Sequence, residues 1–225
     1  MYQKLPNLVL GFHGCNKDVF KQVINKGQHL KKSNNSYDWL GNGVYFWEQN
    51  YQRAFEWASG RYGDDAAVIG AVIDLGYCLN LTDSSSADIL RIGYDILKVR
   101  CEAIGAELPK NRKSTKSKDV LLRDLDCAVI EQIHDFNRLS NNLMYDSVRG
   151  IFVEGDAPYE GSAFREKTHV QLCVCNPNCI KGYFAPLKEC FVFLLLLSFV
   201  ALFFLSFRDM LLVVGQVHII LNDEL

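Results

Sequence analysis

The sequence is as informative in what it lacks as in what it holds. The opening Met1-Tyr2-Gln3-Lys4-Leu5-Pro6 has no apolar run of the kind a secretory signal needs. Without an export signal, the eight cysteines read as reduced thiols in a cytosolic compartment rather than as a disulfide framework. Cys173, Cys175 and Cys179 form the one tight cluster. No Cys or His pair at zinc spacing accompanies them, so core thiols are favoured over a metal site and no metal is expected. Net charge is also missing: the formal total is −2, and residues 1–189 hold 23 bases and 23 acids. That balance exerts no general pull on nucleic acid or acidic lipid. A nine-residue basic stretch, Lys110–Lys118 with five bases, is read as a solvated loop. There is no internal repeat, no regular strand–helix alternation, and no Gly-x-Gly-x-x-Gly turn between a strand and a helix. The last two absences exclude a dinucleotide fold of the doubly wound type.

What is present alternates irregularly. Residues 7–12 are a short apolar strand, and Val19, Phe20, Val23 and Ile24 recur at helical spacing over 17–26, closed by Gly27. Residues 49–61 read as a helix with Ala54, Trp57 and Ala58 on one face, and 66–75 as a buried strand that continues extended through 76–81. Two amphipathic helices follow, carried by Ile89, Ile92, Ile96 and Val99, then by Leu122, Leu125, Val129 and Ile133. Strands return at 147–153, 169–174 and 179–184. This order points to an α+β fold with a largely antiparallel sheet or split sandwich, over a domain spanning 1–189. Residues 190–225 are a different material. Cys190–Phe207 is 18 residues without a charge, long enough at about 1.5 Å per residue to cross a thin bilayer core, and is a candidate transmembrane helix. A buried core helix and an altered terminus are the other readings of this tail.

The chain is organised around Gly41-Asn42-Gly43-Val44-Tyr45-Phe46-Trp47-Glu48. Two glycines permit a tight turn or a close ligand, and the aromatic strand after them offers a flat surface on which a ring can stack. Phe12-His13-Gly14 ends the first strand, and Thr168-His169-Val170-Gln171-Leu172 opens a late one. Taken together, over about residues 8–184, these three pieces resemble the ADP-ribosyltransferase superfamily. The branch in question is the one related to poly-ADP-ribose polymerases and diphtheria toxin.

The resemblance implies that NAD is a substrate. His13 is matched to the histidine that bonds a ribose hydroxyl of NAD, Gly14 to the residue whose backbone holds the nicotinamide amide, and Tyr45 to the tyrosine that stacks on the ring. Gly43 belongs to the same motif, and Ala54 or Ala58 is the small residue that lets the next helix approach the ring. Cleaving the nicotinamide–ribose bond passes through an oxocarbenium-like state, so the ring must be held and positive charge on the ribose favoured. A carboxylate serves the second need. Here the sequence departs from the family, because the strand expected to carry a glutamate has no acid. Gln171 is the first choice for that catalytic position, with Glu166 and Glu160 as alternatives, and a glutamine there argues against chain formation. The loop 154–167 lies where the family recognises its acceptor, placing Glu154, Tyr159 and Glu160 toward substrate. The expected activity is transfer of one ADP-ribose to a protein or nucleic-acid acceptor, by a cytoplasmic domain anchored to membrane if the tail spans one. NAD hydrolysis and a non-catalytic NAD or ADP-ribose binding module stand as alternatives. RNA 2′-phosphotransfer lacks its second histidine and arginine.

Overall fold

The computed structural model describes residues 8–113 and 119–187. The chain divides into Met1–Pro186 and Leu187–Leu225, and only the first unit concerns the fold. Strand β1 (Leu8–Asn16) runs four residues further than its apolar pattern suggests, because it pairs with the long apolar strand along its whole length. His13-Gly14 therefore lies inside a strand. Helix α1 (Lys17–Lys26) is capped by the Asn16 side chain, which accepts from the Val19 amide, and ends at Gly27 in the left-handed conformation. Next come β2 (Val44–Glu48), α2 (Tyr51–Tyr62), β3 (Ala66–Asp74) and β4 (Cys78–Asn80). Helix α3 (Ser86–Ala103) leads into the two-residue strands β5 (Asn111–Arg112) and β6 (Leu122–Arg123), then α4 (Asp124–Leu139). Strands β7 (Ser147–Phe152), β8 (His169–Val174) and β9 (Ile180–Phe184) complete the unit.

The architecture is α+β. Seven strands form one mixed sheet in the order β4-β7-β8-β2-β1-β3-β9, and β5 and β6 form a small separate hairpin. The sheet is largely antiparallel, as expected, with one exception: β4 and β7 pair in parallel. Between them the chain runs out through α3 and α4, a connection long enough to bring the next strand back in the same direction. The split is local rather than a division into two sheets. Strands β1 and β2 share two residue pairs, Gly11 with Glu48 and Phe12 with Trp47, and then part.

Alternation along the strands assigns the two faces. Val44 and Phe46 of β2, Ile69, Ala71 and Ile73 of β3, and Leu172 and Val174 of β8 bury against Val19, Phe20, Val23 and Ile24 of α1. The opposite face of β7 and β8, through Val148, Phe152 and Cys173, packs on Leu97 of α3 and Val129, Ile130 and Ile133 of α4. On that face, Trp47 and Val68 meet Ala54 of α2. Among the described residues no helix is long and apolar enough to cross a membrane. The candidate span 190–207 lies outside them.

A bidentate ion pair spans β8. Arg149 of β7 donates from Nε to Glu48 Oε2 at 2.6 Å and from Nη2 to Glu48 Oε1 at 2.9 Å. Its remaining nitrogen reaches Asn80 at the end of β4 and Thr82 just beyond it. The two side chains are 22% and 12% exposed, so removing one partner strands a largely desolvated charge. Glu48→Ala and Arg149→Ala are each expected to cost about 3 kcal/mol in urea unfolding. The double variant should cost clearly less than the sum, because the second removal no longer orphans a charge. Additive losses would show that the pair is not coupled.

Candidate functional site

The site grows from the place where β1 and β2 part. Past Phe12 the two backbones no longer pair, and His13 Nδ1 lies 2.8 Å from the carbonyl oxygen of Tyr45. A carbonyl only accepts, so Nδ1 carries the proton. Burial lowers the His13 pKa and keeps the ring neutral. Its Nε2 is consequently an acceptor, free to receive a hydrogen bond from a hydroxyl or amide. The ring packs edge-on against Phe46, with centroids 5.9 Å apart.

Tyr45 is pinned through its hydroxyl, which donates to the Gly41 carbonyl at 2.8 Å and accepts from the Leu40 amide at 3.0 Å. Burial pushes its phenol pKa up, and its ring joins the apolar cluster below α3 and α4. The glycines beside it answer to packing. A methyl group at Gly43 would stand 2.5 Å from Cys173 Sγ and 2.7 Å from the Val174 carbonyl. The Cys173 thiol in turn donates to the Gly41 oxygen that also serves Tyr45. Gly14 is where α2 crosses β1 most closely, since an added Cβ would lie 2.5 Å from the Ala54 carbonyl and 3.1 Å from Trp57 Cε3. Ala54 and Ala58, both fully buried, thus seat α2 directly on Gly14.

Gln171 pairs across the ladder with Trp47, while Tyr45 pairs with Cys173. Its side-chain oxygen accepts from Trp39 Nε1 at 2.7 Å, which commits the amide to a second tryptophan. Of the acids in the long loop, Glu154 and Glu166 line a cavity. Tyr159 and Glu160 are exposed and stand outside its lining.

That cavity, of about 950 Å³, lies between α2 and the 154–167 segment and was not anticipated from the sequence. Arg53, Glu56, Trp57 and Arg61 of α2 face Glu154, Glu166 and Lys167 across it. Arg53 bonds Glu56 at 2.6 Å and Glu154 at 3.0 Å through its two terminal nitrogens. Trp57 links the cavity to the strand junction, for its ring touches the Gly14 position and tilts against Trp47 at 5.8 Å. Beneath it, His169 stacks on Phe152 at 5.4 Å and lies 6.1 Å from Trp47. Its Nδ1 donates to the Lys167 carbonyl at 2.6 Å. Three buried nitrogens in this neighbourhood, Trp47 Nε1, Arg53 Nε and His169 Nε2, have no hydrogen-bond partner among the described residues.

No family model matches the chain, and no solved structure matches it. The sequence is similar to an uncharacterized protein of Methanocaldococcus jannaschii. The two are 25% identical over 193 residues, covering 76% of this chain and 83% of that protein.

Burial, moderated by the bond to Lys167 and reinforced by the Arg53 charge, brings the His169 pKa down to about 4. An unfolded histidine titrates near 6.5. Below that pH the unfolded chain takes up a proton that folded His169 refuses. The associated stability is complete above about pH 6.5 and is lost as the pH falls toward 4, up to roughly 3 kcal/mol. His13 acts in the same direction and His134, whose pKa is raised, in the opposite one. The slope is therefore read by difference: His169→Phe, which keeps a ring on Phe152, should flatten the decline of unfolding free energy between pH 6.5 and 4. An unchanged slope would mean that His169 is charged in the fold.

Proposed function

We propose that the chain catalyses NAD-dependent transfer of a single ADP-ribose to a macromolecular acceptor. The observation that carries this reading is the junction of His13-Gly14 with Tyr45, brought within 2.8 Å where β1 and β2 part. Two motifs separated by about 30 residues in sequence are thereby neighbours, at a break in a sheet where backbone groups become available to a ligand. Helix α2 closes the same place through Ala54, Ala58 and Trp57.

In this mechanism the neutral His13 offers Nε2 to a ribose hydroxyl and the strand backbone at Gly14 holds the carboxamide. Tyr45, fixed by two hydrogen bonds, supplies the wall of the nicotinamide site. Stretching the glycosidic bond develops positive charge on the ribose, which fixed negative charge stabilises. Strand β8 offers no carboxylate for this. Glu154 is the cavity acid with the least exposed side chain, 16%, and takes the role here, shared in the resting state with Arg53. Gln171 then acts as a neutral positioning group through Trp39.

That commitment of Gln171 to Trp39 also favours a second reading, a module that binds NAD or ADP-ribose without cleaving it. Incubating the chain with NAD separates the readings. Nicotinamide release with ADP-ribose on an added protein or RNA marks transfer, release without labelled acceptor marks hydrolysis, and binding without release marks the module. His13→Ala and Tyr45→Ala should each weaken NAD binding at least about tenfold, the loss of one or two hydrogen bonds and a stacking surface. Unchanged NAD affinity in both variants would overturn all three.

A further inference from the structure

Buried polar groups in folded proteins nearly always find a partner, and an unmade bond at such a group costs about 1–3 kcal/mol. Three orphaned nitrogens gathered near one cavity therefore ask for an explanation. Two are donors, Trp47 Nε1 and Arg53 Nε. The third is an acceptor: His169 spends its Nδ1 proton on the Lys167 carbonyl, so its bare nitrogen is Nε2. Trp47 and His169 are 7% and 5% exposed. Each contacts a residue that lines the cavity, Trp47 through Trp57 and His169 through Lys167. A set of two donors and one acceptor matches hydroxyl groups, which both accept and donate. A phosphodiester or fully ionised phosphate has no O–H to give to His169 Nε2.

The rest of the lining points the same way. Three cations, Arg53, Arg61 and Lys167, face three acids, Glu56, Glu154 and Glu166, so the lining carries no formal net charge and has no call for a charged ligand. Asn50 and Gln52 add two amides at the same wall. Planar amide, guanidinium and carboxylate groups can each bridge two adjacent hydroxyls. Trp57, 40% exposed, provides an aromatic face, with the Arg61 guanidinium 5.5 Å from its centroid.

We infer that the cavity between α2 and the 154–167 segment binds a neutral sugar ring, with a vicinal diol received by Trp47 Nε1, Arg53 Nε and His169 Nε2 and one ring face against Trp57. Access to the buried nitrogens requires the exposed Trp57 indole to swing off Trp47, which couples binding to tryptophan fluorescence. The site adjoins the proposed transfer site and shares Glu154 with it, but its three receiving nitrogens are not among the groups assigned to NAD binding.

The test titrates the full chain with methyl β-ribofuranoside and with its 2-deoxy analogue, which lacks the diol. Binding is followed by saturation-transfer NMR and by tryptophan fluorescence. Saturable binding of the riboside is expected, with the deoxy analogue at least about fivefold weaker, in line with one or two lost hydrogen bonds. Trp47→Phe removes the orphaned N–H together with part of the buried indole, so it is expected to melt lower than the parent. It should bind the riboside about three- to tenfold more weakly and lose much of the preference for the riboside over its deoxy analogue. A purely structural Trp47 would leave that preference in place. Riboside binding is measured beside NAD binding on the same protein, so a failure of the NAD reading and a failure of this one are told apart. Equal affinity for the two ribosides, full affinity in Trp47→Phe, or no saturable signal would each overturn the assignment.

Discussion

Strands β1 and β2 hold each other at just two residue pairs, and much of the molecule follows from what happens when they part. Each strand continues with its other neighbour, β1 along β3 as far as Asn16 and β2 along β8 from Val44 to Trp47. The edges that faced one another are left with backbone groups to satisfy, since a buried carbonyl without a donor is expensive. His13 meets part of that need by giving its Nδ1 proton to the Tyr45 carbonyl. The histidine thus replaces a missing rung of the ladder, and the replacement fixes its tautomer. A structural requirement and a possible chemical role coincide in one hydrogen bond, which is why removing His13 tests both.

Helix α2 works on two sides. Ala54 and Ala58 are small because the helix backbone must lie on Gly14, where no side chain fits. Arg53, Glu56, Gly60 and Arg61, at the three- and four-residue spacing of another stripe, turn to the cavity. Trp57 sits between the stripes and touches both regions. Its indole packs at the Gly14 crossing and against Trp47 alike, so the junction and the cavity share one side chain even though their other lining residues differ.

The sequence made the pieces legible more readily than their arrangement. Apolar periodicity located α1, α3 and α4, and β-branching located β3 and β8, because each of these buries a face whose pattern survives in one dimension. The apolar pattern over 7–12 stops short of the observed end of β1 at Asn16, because His13, Gly14 and Asn16 carry no apolar signal and are held in the strand by their partners on β3. The parallel β4–β7 pair has no local signature, for direction depends on a connection of two helices. Gln171 was assigned by its position on a strand face, but its partner Trp39 lies 132 residues away in sequence, beyond the reach of any pattern. The cavity was hidden for the same reason. Arg53 and Glu56 look like an ordinary helical surface pair until Glu154 arrives from the other side.

Both His13 and His169 give Nδ1–H to a carbonyl and are kept neutral by burial. Two neutral imidazoles accept from hydroxyls but bring no negative charge to a developing cation. Cleavage of a glycosidic bond therefore depends on a carboxylate, and in the resting structure Glu154 is held by Arg53 at 3.0 Å. Arg53 is itself incompletely bonded, with Nε unpaired while its terminal nitrogens hold Glu56 and Glu154. Arg53 thus ties an acid of its own helix to an acid of the facing segment and keeps its third nitrogen for a ligand. If the proposed transfer takes place at this cavity, the same arginine sets how freely Glu154 can meet positive charge, because a hydroxyl at Nε and the two carboxylates compete for one guanidinium.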